Sequence, residues 1–125
     1  MINDKLLEVI LSPPDSALTI ATKGPGGIHL INSWNSYIQI TDDDKLLLPA
    51  GQMEQTEKNL KKNNEIKMTI CNRDVQGKTY KGTGFLVTAK ATFATSGREY
   101  EMVKNKFPWA RAALVLVIKE AIQTL

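Results

Sequence analysis

Hydrophobic and polar positions change period several times along this chain. Near the amino terminus Leu6, Leu7, Ile10 and Leu11 recur at helical spacing, with Asn3 placed to cap the helix and Ser12-Pro13-Pro14 to stop it. From residue 17 to 22 apolar residues alternate with smaller or polar ones, and Gly24-Pro25-Gly26-Gly27 supplies a turn into a second β-run from Ile28. That run continues past Trp34 to Tyr37, Ile38 and Ile40, with polar groups where a plain core strand would be apolar. A turn at Thr41-Asp42-Asp43-Asp44 precedes a buried strand over 45–49, ended by Pro49-Ala50-Gly51, and a helix follows over about residues 53–62. Ile66, Met68 and Ile70 form one face of a further strand, opposite Lys67, Thr69 and Cys71. Residues 77–84 read as a loop rich in Lys, Thr and Gly, after which Phe85, Val87, Ala89, Ala91 and Phe93 share one face of a long strand. Ser96-Gly97-Arg98-Glu99 has capping-box spacing and predicts a helix with Tyr100, Val103 and Phe107 on one side, closed by Pro108. The β-branched stretch 113–118 predicts a last core strand.

These elements predict a mainly β chain of six or seven strands with three short helices, arranged as one small β-barrel domain over residues 1–125. A lone barrel of this size leaves an apolar flank uncovered, which favours a dimer. The longest uninterrupted apolar run, 112–118, is seven residues, against the roughly 20 that a membrane helix needs. With no signal-peptide pattern at the first residues, the expectation is a soluble, cytoplasmic protein without membrane contact. The net charge of +3, from 16 basic and 13 acidic residues, is spread along the chain and is no nucleic-acid signature. Its densest basic cluster, Lys58, Lys61 and Lys62, is either a solvated helix face or a phosphate-steering group.

One cysteine, Cys71, and one histidine, His29, exclude an internal disulfide and cannot build a metal site, so redox chemistry would need an organic cofactor. His29 alternates with core residues and reads as a packed strand histidine; Cys71 reads as an inert buried thiol. No residue presents itself as a catalytic nucleophile, acid or base. The binding candidates are Asn32, Ser33, Trp34, Asn35, Ser36 and Tyr37, two large aromatics among four hydrogen-bonding side chains, suited to a planar, polar-edged, phosphorylated ligand. Trp34 and Tyr37, three apart in a presumed strand, project to opposite faces unless Asn35 and Ser36 form a bend; each ring packs into core or interface, or stacks on a ligand. In Pro49-Ala50-Gly51-Gln52-Met53-Glu54-Gln55-Thr56 a glycine at a strand-to-helix junction admits a ligand to the backbone, and the first-turn N–H groups with Thr56 face an anion; an ordinary connection is the alternative. Gly82-Thr83-Gly84 is a second point of close approach or a bulge. In Phe107-Pro108-Trp109-Ala110-Arg111 the arginine is a surface ion-pair residue or a phosphate or interface ligand.

Residues 32–37, 49–53, 56–59 and 82–86, with Trp109-Ala110-Arg111-Ala112-Ala113-Leu114 and Gln123-Thr124-Leu125, together resemble the small FMN-binding proteins of sulfate-reducing bacteria, in the pyridoxamine-phosphate-oxidase-like split-barrel family. The resemblance spans nearly the whole chain. It implies a six-stranded split β-barrel, a homodimer and one non-covalent FMN per subunit. It further implies that Trp34, Tyr37 and Trp109 surround the isoalloxazine and that Pro49, Ala50 and Gly51 run along its polar edge. Asn32, Ser33 and Thr56 would bind the phosphate or ribityl chain, and Leu125 would reach a flavin across the dimer interface. Asp15 stands where the family carries a glutamate near the flavin, and Gln55 where it carries a lysine beside the phosphate, with Lys58 or Arg111 as replacement cation.

The resemblance favours electron transfer through FMN, with a redox protein or nicotinamide nucleotide as partner. A flavin reductase or a pyridoxamine-phosphate-oxidase-like oxidoreductase is the alternative, and a ligand-free interaction barrel a third reading. Few spare cations near the glycine junctions argue against a second phosphorylated ligand.

Overall fold

In the computed structural model, which describes all 125 residues, the chain runs through α1 (Asp4–Leu11), β1 (Ala17–Gly24), β2 (Gly27–Trp34), a 3-10 turn (Asn35–Tyr37), β3 (Gln39–Ile40), β4 (Leu46–Ala50), α2 (Glu54–Lys62), β5 (Glu65–Gln76), β6 (Lys81–Ala94), α3 (Arg98–Lys106) and β7 (Ala112–Gln123). All seven strands join one antiparallel sheet in the order β2-β1-β5-β6-β7-β4-β3. Its two end strands, β2 and β3, are successive in sequence, separated only by residues 35–38. Five Cα steps reach at most about 18 Å, whereas a flat sheet of seven strands would hold its edges about 29 Å apart. The sheet therefore curls toward closure, with its split between β2 and β3. Six strands of five residues or more match the predicted barrel; the seventh, β3, is a two-residue pairing with β4.

Alternation sets what fills the barrel. Leu18 and Ile20 of β1, Ile66, Met68 and Ile70 of β5, Phe85, Val87 and Ala89 of β6, and Leu114 and Leu116 of β7 pack into one core, to which α1 adds Leu6, Val9 and Ile10. Asn3 caps α1 as expected, its Oδ1 accepting from the Lys5 and Leu6 amides. The run Leu46-Leu47-Leu48 is buried on both faces: Leu46 and Leu48 point into the barrel, whereas Leu47 lies under α3 with Val103, Phe107, Ala113 and Val115. This second, outer cluster anchors the end of α3 beside β4 and β7, and so fixes the segment that carries Trp109.

Several boundaries differ from those predicted. The β-run from Ile28 stops at Trp34, where the chain turns through the bend anticipated at Asn35 and Ser36. β5 extends to Gln76 and β6 starts at Lys81, so the loop predicted over 77–84 is much shorter; Arg73, Asp74 and Val75 oppose Gly82 alone, a bulge that the regular alternation hides. β7 runs to Gln123. The capping box does not form, because Gly97, with φ +91°, occupies the cap position and shifts Ser96 and Glu99 out of register. No helix is long and apolar enough to cross a membrane.

Candidate functional site

Three rings meet on one side of the barrel. Tyr37, at the end of the 3-10 turn, lies 4.9 Å from Phe107 and 6.0 Å from Trp109 between ring centroids, and Phe107 and Trp109 are 5.6 Å apart. All three contacts are tilted or edge-on, a favourable arrangement for ring quadrupoles. Phe107 is buried, but Trp109 remains 54% exposed and shows a free face. Gly51 lies against that indole: a Cβ there would stand 3.2 and 3.3 Å from its Cζ3 and Cε3 atoms. Trp34 is 47% exposed at the end of β2 and stands apart from this ring cluster. The sequence motif held Phe107, but its role as a wall for Tyr37 depends on the packing of α3 and is visible only in the fold.

The 3-10 turn that aims Tyr37 is fastened from three directions. The Asn35 amide donates to Ser16 O at 2.9 Å, and its Nδ2 donates to Cys71 O at 2.8 Å. Asp15 accepts from the Ser36 amide at 2.9 Å and from its hydroxyl at 2.7 Å, as well as from the Ser16 amide. Partial burial acts to raise the Asp15 carboxyl, but the bonds from Ser36 and Ser16 outweigh it and hold the group below its ordinary value. Asp15 is thus a turn anchor. Asn32 donates to Leu18 O and Thr19 Oγ1 across the β1–β2 ladder, and Ser33 is buried beside it.

Across the site, β4 ends in the loop to α2. The Arg111 amide donates to Ala50 O at 2.9 Å, and Nε and a terminal nitrogen donate to Gln52 O at 3.0 and 2.7 Å. Its other terminal nitrogen pairs with Glu57 at 3.0 Å. Arg111 therefore braces the loop holding Pro49, Ala50, Gly51 and Gln52, and forms the ion pair that was one of its predicted roles. Met53 sits in the left-handed region at φ +67° and caps α2 without any side-chain bond, leaving the first-turn amides without a capping acceptor. The Thr56 hydroxyl is fully buried and has no hydrogen-bond partner, as has Oδ1 of Asn35. Orphaned donors and acceptors of this kind are costly without a ligand to satisfy them. Gln55 is already engaged, its Nε2 donating to Asn59 Oδ1 at 2.9 Å, while Asn59 Nδ2 donates to Thr22 Oγ1 at 3.0 Å. Asn59, buried and absent from the predicted site, connects α2 to β1.

Leu125 lies elsewhere on the protomer. Its carbonyl oxygen accepts from Thr83 Oγ1 at 2.7 Å and from the Lys78 amide at 3.2 Å, in a cavity of about 650 Å³ with Cys71, Arg73 and Tyr80. Gly82, Thr83 and Gly84 serve this docking and the close β5–β6 pairing, where a Cβ on Gly84 would meet Ile70 O at 2.9 Å. Cys71 is exposed, contrary to the expectation of a buried thiol, because it belongs to the outward face of β5 with Lys67 and Thr69. His29 is half-buried in β2.

No protein-family model matches the chain. It is 42% identical over 111 residues to the FMN-binding protein of Nitratidesulfovibrio vulgaris (strain DSM 19637 / Miyazaki F), an alignment covering 89% of this chain and 90% of that protein. Solved structures share the fold at low identity. HupZ of Group A Streptococcus superposes with a TM-score of 0.77 at 17% identity, over 98% of this chain and 94% of that one. A Lactobacillus delbrueckii protein provisionally named a pyridoxamine 5'-phosphate oxidase gives 0.67 at 17%, over 97% and 93%. An FMN-binding protein of Syntrophomonas wolfei gives 0.60 at 16%, over 86% and 76%.

Proposed function

The chain belongs to the family of the Nitratidesulfovibrio vulgaris FMN-binding protein, and we propose that it binds FMN non-covalently, at a site completed by a second copy, and passes electrons through it. The observation that carries this reading is the ring wall of Tyr37, Phe107 and Trp109 against Gly51, beside a helix start whose Thr56 hydroxyl is buried and unpartnered. When bound, FMN supplies reversible redox chemistry that no side chain here provides. The protein's part is to hold and orient. The exposed Trp109 face and Trp34 offer apolar surface for a planar ring, Gly51 keeps the backbone within reach of its polar edge, and Arg111 fixes that loop by binding Gln52 and Glu57. First-turn amides of α2 and Thr56 offer donors to a phosphate.

A dimer is supported by the outer face of the sheet, where Ile28, Leu30 and Trp34 are exposed at alternate positions of β2, and Leu86 and Ile122 lie on the same face in register. Single exposed apolar residues are ordinary, but Ile28, Leu30 and Trp34 share one face of an edge strand, which calls for cover. Leu125 shares no cavity with the ring cluster of its own chain, in keeping with a role toward the partner's flavin. The exposed Cys71 thiol suits a reducing compartment, and we assign the protein to the cytoplasm. The test is the visible spectrum of the purified protein, identification of the chromophore released on denaturation, and reductive titration with sedimentation in parallel. Flavin bands, released FMN, reversible reduction and a dimer mass are expected; a colourless protein that takes up no added FMN refutes the reading.

A further inference from the structure

Four lysines from two separate elements converge on one cavity. It measures about 780 Å³ and lies between α2 and the β1–β2 turn, with Lys23 contributed by β1 and Lys58, Lys61 and Lys62 by α2. No carboxylate lines it, and none of the four lysines makes an ion pair. Lys61 and Lys62 in the last turn of α2 complement the helix dipole, but the dipole explains neither Lys58 nor Lys23. Lys58 stands three and four residues from Lys61 and Lys62, spacings at which like charges repel, while Glu54 and Glu57 stand four residues before Lys58 and Lys61. Gly27 in the wall has open space around it and leaves the backbone there accessible to close approach, and the volume falls in the range of small-molecule sites. Gln55 stands on the rim, its amide committed to Asn59, at the position where the resemblance calls for a lysine. Folding thus brings Lys23 and the predicted basic cluster of α2 together at the Gly24–Gly27 turn, away from the Gly51 junction.

We propose that this cavity binds the phosphate of a phosphorylated organic ligand, its lysines supplying the charge that position 55 lacks. The phosphate belongs either to FMN itself, in which case the inference rests on the function proposed above, or to a second nucleotide. The experiment compares the parent with the triple variant Lys23→Gln/Lys58→Gln/Lys61→Gln, three exposed positions whose change leaves the core untouched. In the first arm, flavin-free protein is titrated with FMN and with riboflavin. In the second, FMN-loaded protein is titrated calorimetrically with ADP at low and high salt. If the cavity holds the flavin phosphate, the preference for FMN over riboflavin falls roughly tenfold in the variant, as for several weak ion pairs lost together. If it holds a second nucleotide, that preference stays, and the parent binds ADP in a salt-sensitive manner while the variant binds it roughly tenfold more weakly. Equal FMN-to-riboflavin ratios in both proteins, with no ADP binding by the parent at low salt, overturn the proposal. A parent that takes up no flavin refutes the flavin reading instead, and ADP titration of the flavin-free protein then decides the cavity.

Discussion

Gly24→Ala tests the connection between α2 and the β1–β2 hairpin, because it adds one methyl group where the structure has no room for it. Gly24 lies outside the left-handed region, so its backbone accepts alanine, and the new Cβ would stand 2.5 Å from Asn59 Oδ1 and 2.9 Å from Cγ and Nδ2. Asn59 is 2% exposed and cannot move aside without leaving both Gln55 and Thr22. Two hydrogen bonds lost at about 0.5–1.5 kcal/mol each give about 1–3 kcal/mol, offset by about 0.4–1 kcal/mol from the stiffer unfolded chain. The net loss is about 1–2 kcal/mol, or roughly 4–8 °C in Tm for a domain of this size. Gly26→Ala is the control: it has open space around it and no left-handed φ, and it should gain about 0.4–1 kcal/mol. Urea unfolding followed by tryptophan fluorescence reads both variants. In an Asn59→Ala background the Gly24→Ala change should cost nothing, giving a coupling of about 1 kcal/mol or more. Equal stability of Gly24→Ala and Gly26→Ala, or strict additivity with Asn59→Ala, would refute the reasoning.

Trp109→Ala removes a half-exposed ring, so the unfolding midpoint should move little while FMN affinity drops about tenfold or more, taking stacking on an aromatic face as about 1–3 kcal/mol; fluorescence titration with FMN reads it. Arg111→Lys keeps the charge but loses the fork that grips Gln52 O and Glu57 together, and should cost about 1 kcal/mol in urea unfolding and weaken FMN binding several-fold; unchanged binding would mean that the Gly51 loop needs no brace. Asp15 has a folded-state pKa below its ordinary value of 3.8, so its hold on Ser36 stabilises the protein above that pH and is lost as pH falls through the folded pKa. Asp15→Asn should therefore flatten the acid limb of the stability–pH profile below about pH 4 without changing its shape near neutrality.

What the sequence made legible follows the range of the forces involved. The Gly24–Gly27 turn, the α1 cap and the alternations of β5 and β6 are local patterns, and each appears where its residues predict it. The bend at Asn35 and Ser36 was legible as a conflict, since Trp34 and Tyr37 could not share a strand face without it. Ser96 shows the limit of a local motif: it matched a capping box until Gly97, freer in φ, took the cap position. Arg111 and Lys58 show the limit of composition. Both were candidates for the cation that Gln55 does not provide, and nothing within a few residues of either separates them. The fold does, by bringing Glu57 and Gln52 O to Arg111, whereas Lys58 makes no ion pair and shares its cavity with Lys23, Lys61 and Lys62. An arginine already bound to a carboxylate and a carbonyl has little charge left to offer a phosphate, whereas a lysine held among unpaired lysines is stabilised by any anion that arrives. The electrostatics of this end of α2 were therefore set by tertiary contacts with β1 and with the start of β7: the β1–β2 hairpin brings Lys23, far away in sequence, to the cavity that Gln55 and the α2 lysines line.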